Sequence, residues 1–160
     1  MGPSLLPWYI VLIVSLPETF LIIKLGFRLF NLEIDFNQAL FLSSATAFLS
    51  IFIRKLPLVY GYHTLIMMLA LALLTKAILK IRLWHGIVSI LVGVLILGVL
   101  ESTLLPLLLS LTSTNTKSLI INPWLNVVYT LPLLLVMYTL YWLAKRYNLV
   151  IFDLNLNNED

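Results

Sequence analysis

Residues 86–111, GIVSILVGVLILGVLESTLLPLLLSL, form a long apolar segment whose one charged side chain is Glu101. A helix that crosses a lipid bilayer needs about 20 consecutive, mostly apolar residues. The segment meets that length, so it predicts a membrane-spanning helix. It also decides the fold class, because a water-soluble domain of this size rarely contains such a run.

Four further apolar segments accompany it, over residues 5–23, 39–53, 59–79 and 124–144. The chain of 160 residues is 61% hydrophobic and 11% charged, whereas soluble domains carry roughly 25% charged residues. This composition excludes a water-soluble fold, and five spans leave no room for a soluble catalytic domain. The sequence therefore predicts an all-α, polytopic membrane bundle of about five transmembrane helices.

Proline positions, glycine positions and segment length predict where the spans are interrupted, where they pack closely and whether each crosses the membrane. Pro17 is expected to interrupt the first helix, and Pro132 falls near the middle of the last one. Gly93 and Gly98 suggest a face of the fourth helix that packs closely against a neighbour. Residues 39–53 form the shortest segment, for which a re-entrant hairpin is the alternative. Residues 1–147 are predicted to form the membrane domain, and residues 148–160 a short cytoplasmic tail.

Basic residues at the ends of the spans predict the orientation, because cytoplasmic ends carry an excess of Lys and Arg. With the N-terminus outside, the inner ends carry Lys24, Arg28, Lys76, Lys80, Arg82, Lys145 and Arg146, against Arg54, Lys55 and Lys117 at the outer ends. The prediction is a multi-pass protein of the cell membrane, such as the bacterial inner membrane, with a cytoplasmic C-terminus.

The four tryptophans agree with this orientation. Trp8 and Trp124 mark the predicted outer interface, and Trp84 and Trp142 mark the inner one, as expected for indole rings at headgroup depth. If residues 39–53 do not span the membrane, the number of spans becomes four and the predicted orientation of the termini fails.

Two acidic residues, Glu18 and Glu101, lie inside the predicted spans. A carboxylate in hydrocarbon is costly, by about 2.5 kcal/mol or more, so an intramembrane acid is a functional-site candidate. Glu101 is expected toward the outer half of its span, where Arg54, Lys55 or His63 would approach it. The structural alternative is an ion pair or hydrogen bond that fastens two helices.

Residues 54–64, RKLPLVYGYHT, form the densest polar and aromatic cluster. This cluster suits an outward recognition surface for a peptide or an anionic ligand, because interfaces favour arginine and aromatic residues. The alternative is an interfacial anchor of aromatic rings and snorkelling cations. His63 stands out because its charge changes near physiological pH. The predicted ligand-binding residues are therefore Glu18, Arg54, His63 and Glu101.

Several functions lack their usual residues. The chain has no cysteine and only two histidines, which excludes disulfides, thiolate nucleophiles and thiolate metal sites. It contains no HExxH motif, no glycine-rich phosphate loop and no readable Ser–His–acid pattern. The net charge of +3 reflects membrane topology rather than nucleic-acid binding. We therefore expect a protein that is not an enzyme and has no cofactor, metal or nucleic-acid partner.

A set of short motifs resembles a known family. The motifs are 16–18 (LPE), Arg54 with 56–58 (LPL), 61–64 (GYHT), Glu101 with Pro106, 122–124 (NPW) and Pro132. In this order they are similar to the multi-span membrane portion of Firmicute sensor histidine kinases of the accessory-gene-regulator and sporulation-phosphotransferase type. They are also similar to related stand-alone membrane proteins of this length.

The resemblance implies a membrane region that senses an extracellular or membrane-dissolved signal for a cytoplasmic kinase. This sequence lacks the phosphoacceptor histidine and the ATP-binding motifs of that family, so kinase activity does not carry over. The first hypothesis is a non-catalytic sensor or regulatory subunit that binds a hydrophobic or peptide signal and couples to a cytoplasmic kinase or regulator. The alternatives are a small-solute or ion carrier, or transporter subunit, and an assembly scaffold.

Overall fold

The computed structural model describes residues 7–53, 62–114 and 116–154, apart from the side chains of His63, Thr116, Lys117 and Ile120. These residues form helices and turns, with no strand. The helices are α1 (Trp8–Leu29), α2 (Phe36–Ile53), α3 (Tyr62–Leu79), α4 (Leu83–Leu111), the short α5 (Thr116–Ile121) and α6 (Pro123–Arg146). The predicted all-α fold is confirmed.

Four helices, α1, α2, α4 and α6, are long and apolar enough to cross a membrane. Residues 39–53, for which a re-entrant hairpin was the alternative, lie in the continuous helix α2, which begins at Phe36. The apolar part of α3, Thr64–Leu79, is shorter. The 18 residues of α3 would extend about 27 Å at 1.5 Å per residue, close to the ~30 Å of a hydrocarbon core. The chain is thus a multi-pass membrane bundle, and the orientation of its termini stays a prediction.

Helix α1 lies at the centre of the bundle and packs against α2, α4 and α6, while α3 packs against α2 and α4. Leu21, Ile22 and Ile23 are consecutive in α1 and all buried. Successive helical residues point in directions about 100° apart, so neighbouring helices cover α1 on more than one side. Helices on the outside of a membrane bundle expose apolar side chains to lipid. The burial of these three residues therefore identifies α1 as the core helix.

Two glycines allow α1 and α4 to touch through their backbones. A Cβ atom at Gly93 would lie 2.6 Å from the carbonyl oxygen of Ile22, and one at Gly26 would collide with the carbonyl oxygen of Ser89. Gly98, by contrast, has nothing within 4 Å of its Cβ position. The predicted close-contact face is therefore correct for Gly93 and wrong for Gly98, whose Cβ position faces open space.

The prolines do not break the helices. Pro17, Pro106 and Pro132 lie inside the continuous helices α1, α4 and α6, so the predicted interruption at Pro17 is wrong. Proline fixes φ near the helical value and removes a single backbone hydrogen bond. Helices in a bilayer tolerate that loss where neighbouring groups satisfy the freed carbonyl.

The segment after α6 folds back onto the end of α1. The backbone N–H of Ile151 donates to Leu29 O at 2.7 Å, and that of Leu154 donates to Phe30 O at 3.2 Å. Asn31 Nδ2 donates to Asp153 Oδ2 at 2.7 Å. The two backbone bonds satisfy carbonyls that the end of a helix leaves without intrahelical partners. As far as Leu154, which is buried, the predicted tail is therefore attached to the bundle.

Candidate functional site

Glu18 and Glu101 line the same cleft, which has a volume of about 70 Å³ and lies between α1, α4, α5 and α6. The other lining residues are Leu104, Leu105, Leu119, Asn126, Tyr129, Thr130 and Leu133. Glu18 is half-buried on α1, and Glu101 is exposed on α4. The cleft is therefore a place where two intramembrane carboxylates, an amide and two hydroxyl groups come together.

Helix α6 supplies the neutral polar groups. Asn126, Tyr129, Thr130 and Leu133 follow the spacing i, i+3, i+4 and i+7, which places them on one face of a helix. These polar residues were not predicted for the site. Their spacing within an otherwise apolar segment is the signal that would have identified them, since a polar face in a membrane helix turns toward protein or a cavity.

The polar residues of α6 also hold the connection between α4 and α6. The Tyr129 hydroxyl lies 2.7 Å from Thr112 Oγ1 and donates to Thr114 Oγ1 at 3.0 Å. Asn126 Nδ2 donates to Leu119 O at 3.0 Å and to Pro123 O at 3.2 Å. The connection between α4 and α6 contains the short helix α5, and the side chain of Asn126, which lines the cleft, bonds to its residue Leu119.

The cleft lies in the half of the bundle where α1 and α6 begin and α4 ends. The rings of Tyr9 and Trp124 contact each other with centroids 6.2 Å apart, so the first turns of α1 and α6 are neighbours. Toward the other end, α1 and α4 touch at Ile22 with Gly93 and at Gly26 with Ser89. This contact leaves no room even for a Cβ atom, so α1 and α4 are in direct backbone contact below the cleft.

The other two residues predicted for the site are Arg54 and His63. Arg54, like Lys55, lies outside the described residues, and the side chain of His63 is not described, so their pairing with Glu101 stays a prediction. The lining described above comes from α1, α4, α5 and α6, and not from the α2–α3 side where those residues were expected. Within the described ranges, no three His, Asp or Glu side chains come together that could hold a metal ion.

No protein-family model, curated protein or solved structure matches this chain. The resemblance to the membrane region of Firmicute sensor histidine kinases therefore stays a prediction. The function has to be argued from the cleft itself.

Proposed function

We propose that this protein is a non-catalytic membrane sensor or regulatory subunit whose ligand places a small cationic group between Glu18 and Glu101. The observation that carries the proposal is that both intramembrane acids line one cleft. An ammonium group offers three donors, and carboxylates form strong, charge-assisted hydrogen bonds with such groups. The amide of Asn126 and the hydroxyl of Thr130 add neutral acceptors beside them.

The volume of the cleft limits the size of the group that it can bind. A cavity needs a volume of roughly 10–15 Å³ to hold one water molecule. The cleft volume of about 70 Å³ therefore suits an ammonium-sized group with a few waters. A whole peptide or a large hydrophobic molecule exceeds this volume. A peptide signal of the predicted kind would therefore insert only one amino group into the cleft. A small organic amine would fill the same position without the remainder of a peptide.

Helix α1 provides a route from the ligand to a partner. It carries Glu18 in the cleft, and its last carbonyl, Leu29 O, accepts the hydrogen bond from the tail residue Ile151. A displacement of α1 on ligand binding would therefore move the tail. In the predicted orientation the tail is cytoplasmic, where a kinase or another regulator would bind.

A carrier of small cations is the second candidate, favoured by the same pair of acids on two helices. A carrier must expose its site alternately to both sides of the membrane. Helices α1 and α4 are in backbone contact where Gly93 meets Ile22, so a transport path between these two helices would require their separation. A sensor needs no such separation, which is why we prefer it.

Two measurements on the purified protein test the proposal and separate the candidates. Methylammonium titrated into detergent-solubilised protein is expected to change the tryptophan fluorescence in a saturable way, while tetramethylammonium, of equal charge but larger, is not. In proteoliposomes, labelled methylammonium is expected to bind without accumulating in the lumen. Saturable uptake would favour the carrier, and the absence of saturable binding would contradict both.

A further inference from the structure

A second site lies at the opposite end of the bundle, where α1 and α6 finish. Four cations lie at this end, and we name them the basic cluster: Lys24 and Arg28 of α1, one helical turn apart, and Lys145 and Arg146 at the end of α6. Arg28 donates a hydrogen bond to the side chain of Asn148, just after α6. Lys24 is close enough to Lys145 for their charges to repel. We propose that the basic cluster binds the headgroup of an anionic phospholipid.

Among the described residues, the hydrogen-bond and ring partners of Lys24, Arg28 and Arg146 are neutral groups. Lys24 Nζ donates to the carbonyl oxygen of Ile34 at 2.8 Å, and Arg28 donates to an amide oxygen. The guanidinium of Arg146 lies 5.1 Å from the ring centroid of Trp142, a cation–π contact. Each of these contacts leaves the positive charge of the cation uncompensated, so a diffusible anion can lower its energy.

In the part of the chain that the structure describes, nearby acids and helix ends compensate only part of this charge. Asp35 attracts Lys24, Asp153 accepts a hydrogen bond from Asn31, and Glu33 is exposed in the turn after α1. The C-terminal ends of α1 and α6 also favour cations. Against these stand the four cations of the basic cluster.

The surroundings favour a lipid headgroup over a free phosphate ion. Four consecutive apolar tail residues beside the cluster, 149–152, are exposed. Trp142 and Trp84 are exposed at this end of the bundle as well, which is typical of the membrane interface. Basic groups next to exposed apolar side chains fit the boundary between headgroups and acyl chains. Basic pockets between membrane helices are a recurring mode of anionic headgroup binding.

The test counts lipids bound to the intact protein by native mass spectrometry in a neutral detergent. Phosphatidylglycerol, phosphatidylcholine and inorganic phosphate are the three probes. We expect phosphatidylglycerol to bind at least about tenfold more tightly than phosphatidylcholine, as estimated from the attraction of each basic residue to anionic lipid. The double variant Lys145→Gln/Arg146→Gln, which alters exposed side chains, is expected to lose this preference.

Lys76→Gln is the matched control, because Lys76 is an exposed helical lysine at the same end, outside the cluster. The control is expected to keep the full preference for phosphatidylglycerol. Equal binding of the two lipids by the unmodified protein would overturn the proposal. So would competition by inorganic phosphate at the same concentration, or an equal loss in the Lys76→Gln control.

Discussion

Glu101→Gln and Glu18→Gln are each expected to weaken methylammonium binding by about tenfold or more, with the larger loss in the double variant. Glutamine keeps the shape and hydrogen-bonding capacity of glutamate but removes the negative charge. A hydrogen bond to a charged partner contributes about 1.5–3 kcal/mol, and each 1.4 kcal/mol is about tenfold in affinity. The measurement is the fluorescence titration of the purified protein.

Glu33→Gln is the control for this series, because Glu33 is exposed in the turn after α1 and lies outside the cleft. It is expected to leave the affinity unchanged. If the Glu18 and Glu101 variants bind methylammonium normally but unfold at a lower temperature, the two carboxylates fasten helices and the sensor proposal fails. Thermal unfolding of each variant in the same detergent separates these outcomes.

Gly93→Ala is expected to destabilise the bundle by about 1–3 kcal/mol, the usual cost of overpacking a well-packed site. The added Cβ would lie 2.6 Å from Ile22 O, a backbone atom of the central helix that cannot rotate away. Gly26→Ala meets the backbone of Ser89 in the same way, so the two variants are expected to behave alike. Denaturant unfolding in mixed micelles, followed by circular dichroism, measures the free energy of unfolding.

Gly98→Ala is a control with the same chemistry in the same helix. Its Cβ has open space within 4 Å, and alanine favours a helix over glycine by about 1 kcal/mol. This variant is therefore expected to be as stable as the parent or slightly more stable. Equal destabilisation by Gly93→Ala and Gly98→Ala would show that α1 and α4 do not meet at Gly93.

The spans were predictable because membrane insertion depends on local composition. Runs such as residues 86–111 need only their own apolar length to span a bilayer. The predicted bounds of that span agree with α4 to within three residues, whereas α1 continues six residues beyond its predicted end at residue 23. The central position of α1 was not predictable in this way. Every span is apolar on all sides, so hydrophobicity cannot distinguish a helix buried among other helices from one that faces lipid.

Part of the candidate site was predictable for the same reason. Glu18 and Glu101 were conspicuous as charges in apolar segments, but their meeting in one cleft depends on how α1 and α4 cross. That crossing is fixed by Gly26 and Gly93. The sequence suggested close packing at Gly93, but it could not identify α1 as the opposing helix. The contribution of Asn126 and Thr130 was missed because neutral polar residues are common in membrane helices and carry a weaker signal than a charge.

The shared cleft is tested most directly by a cysteine cross-link in native membranes. The chain contains no cysteine, so Glu18→Cys/Glu101→Cys introduces the only reactive pair. A short bifunctional thiol reagent is expected to link the two within one molecule, seen by mass spectrometry as a cross-linked peptide. Phe48→Cys/Glu101→Cys, in which residue 48 lies exposed on α2, is expected to stay unlinked. Absence of the first link, or equal yields for both pairs, would contradict a common cleft for the two acids.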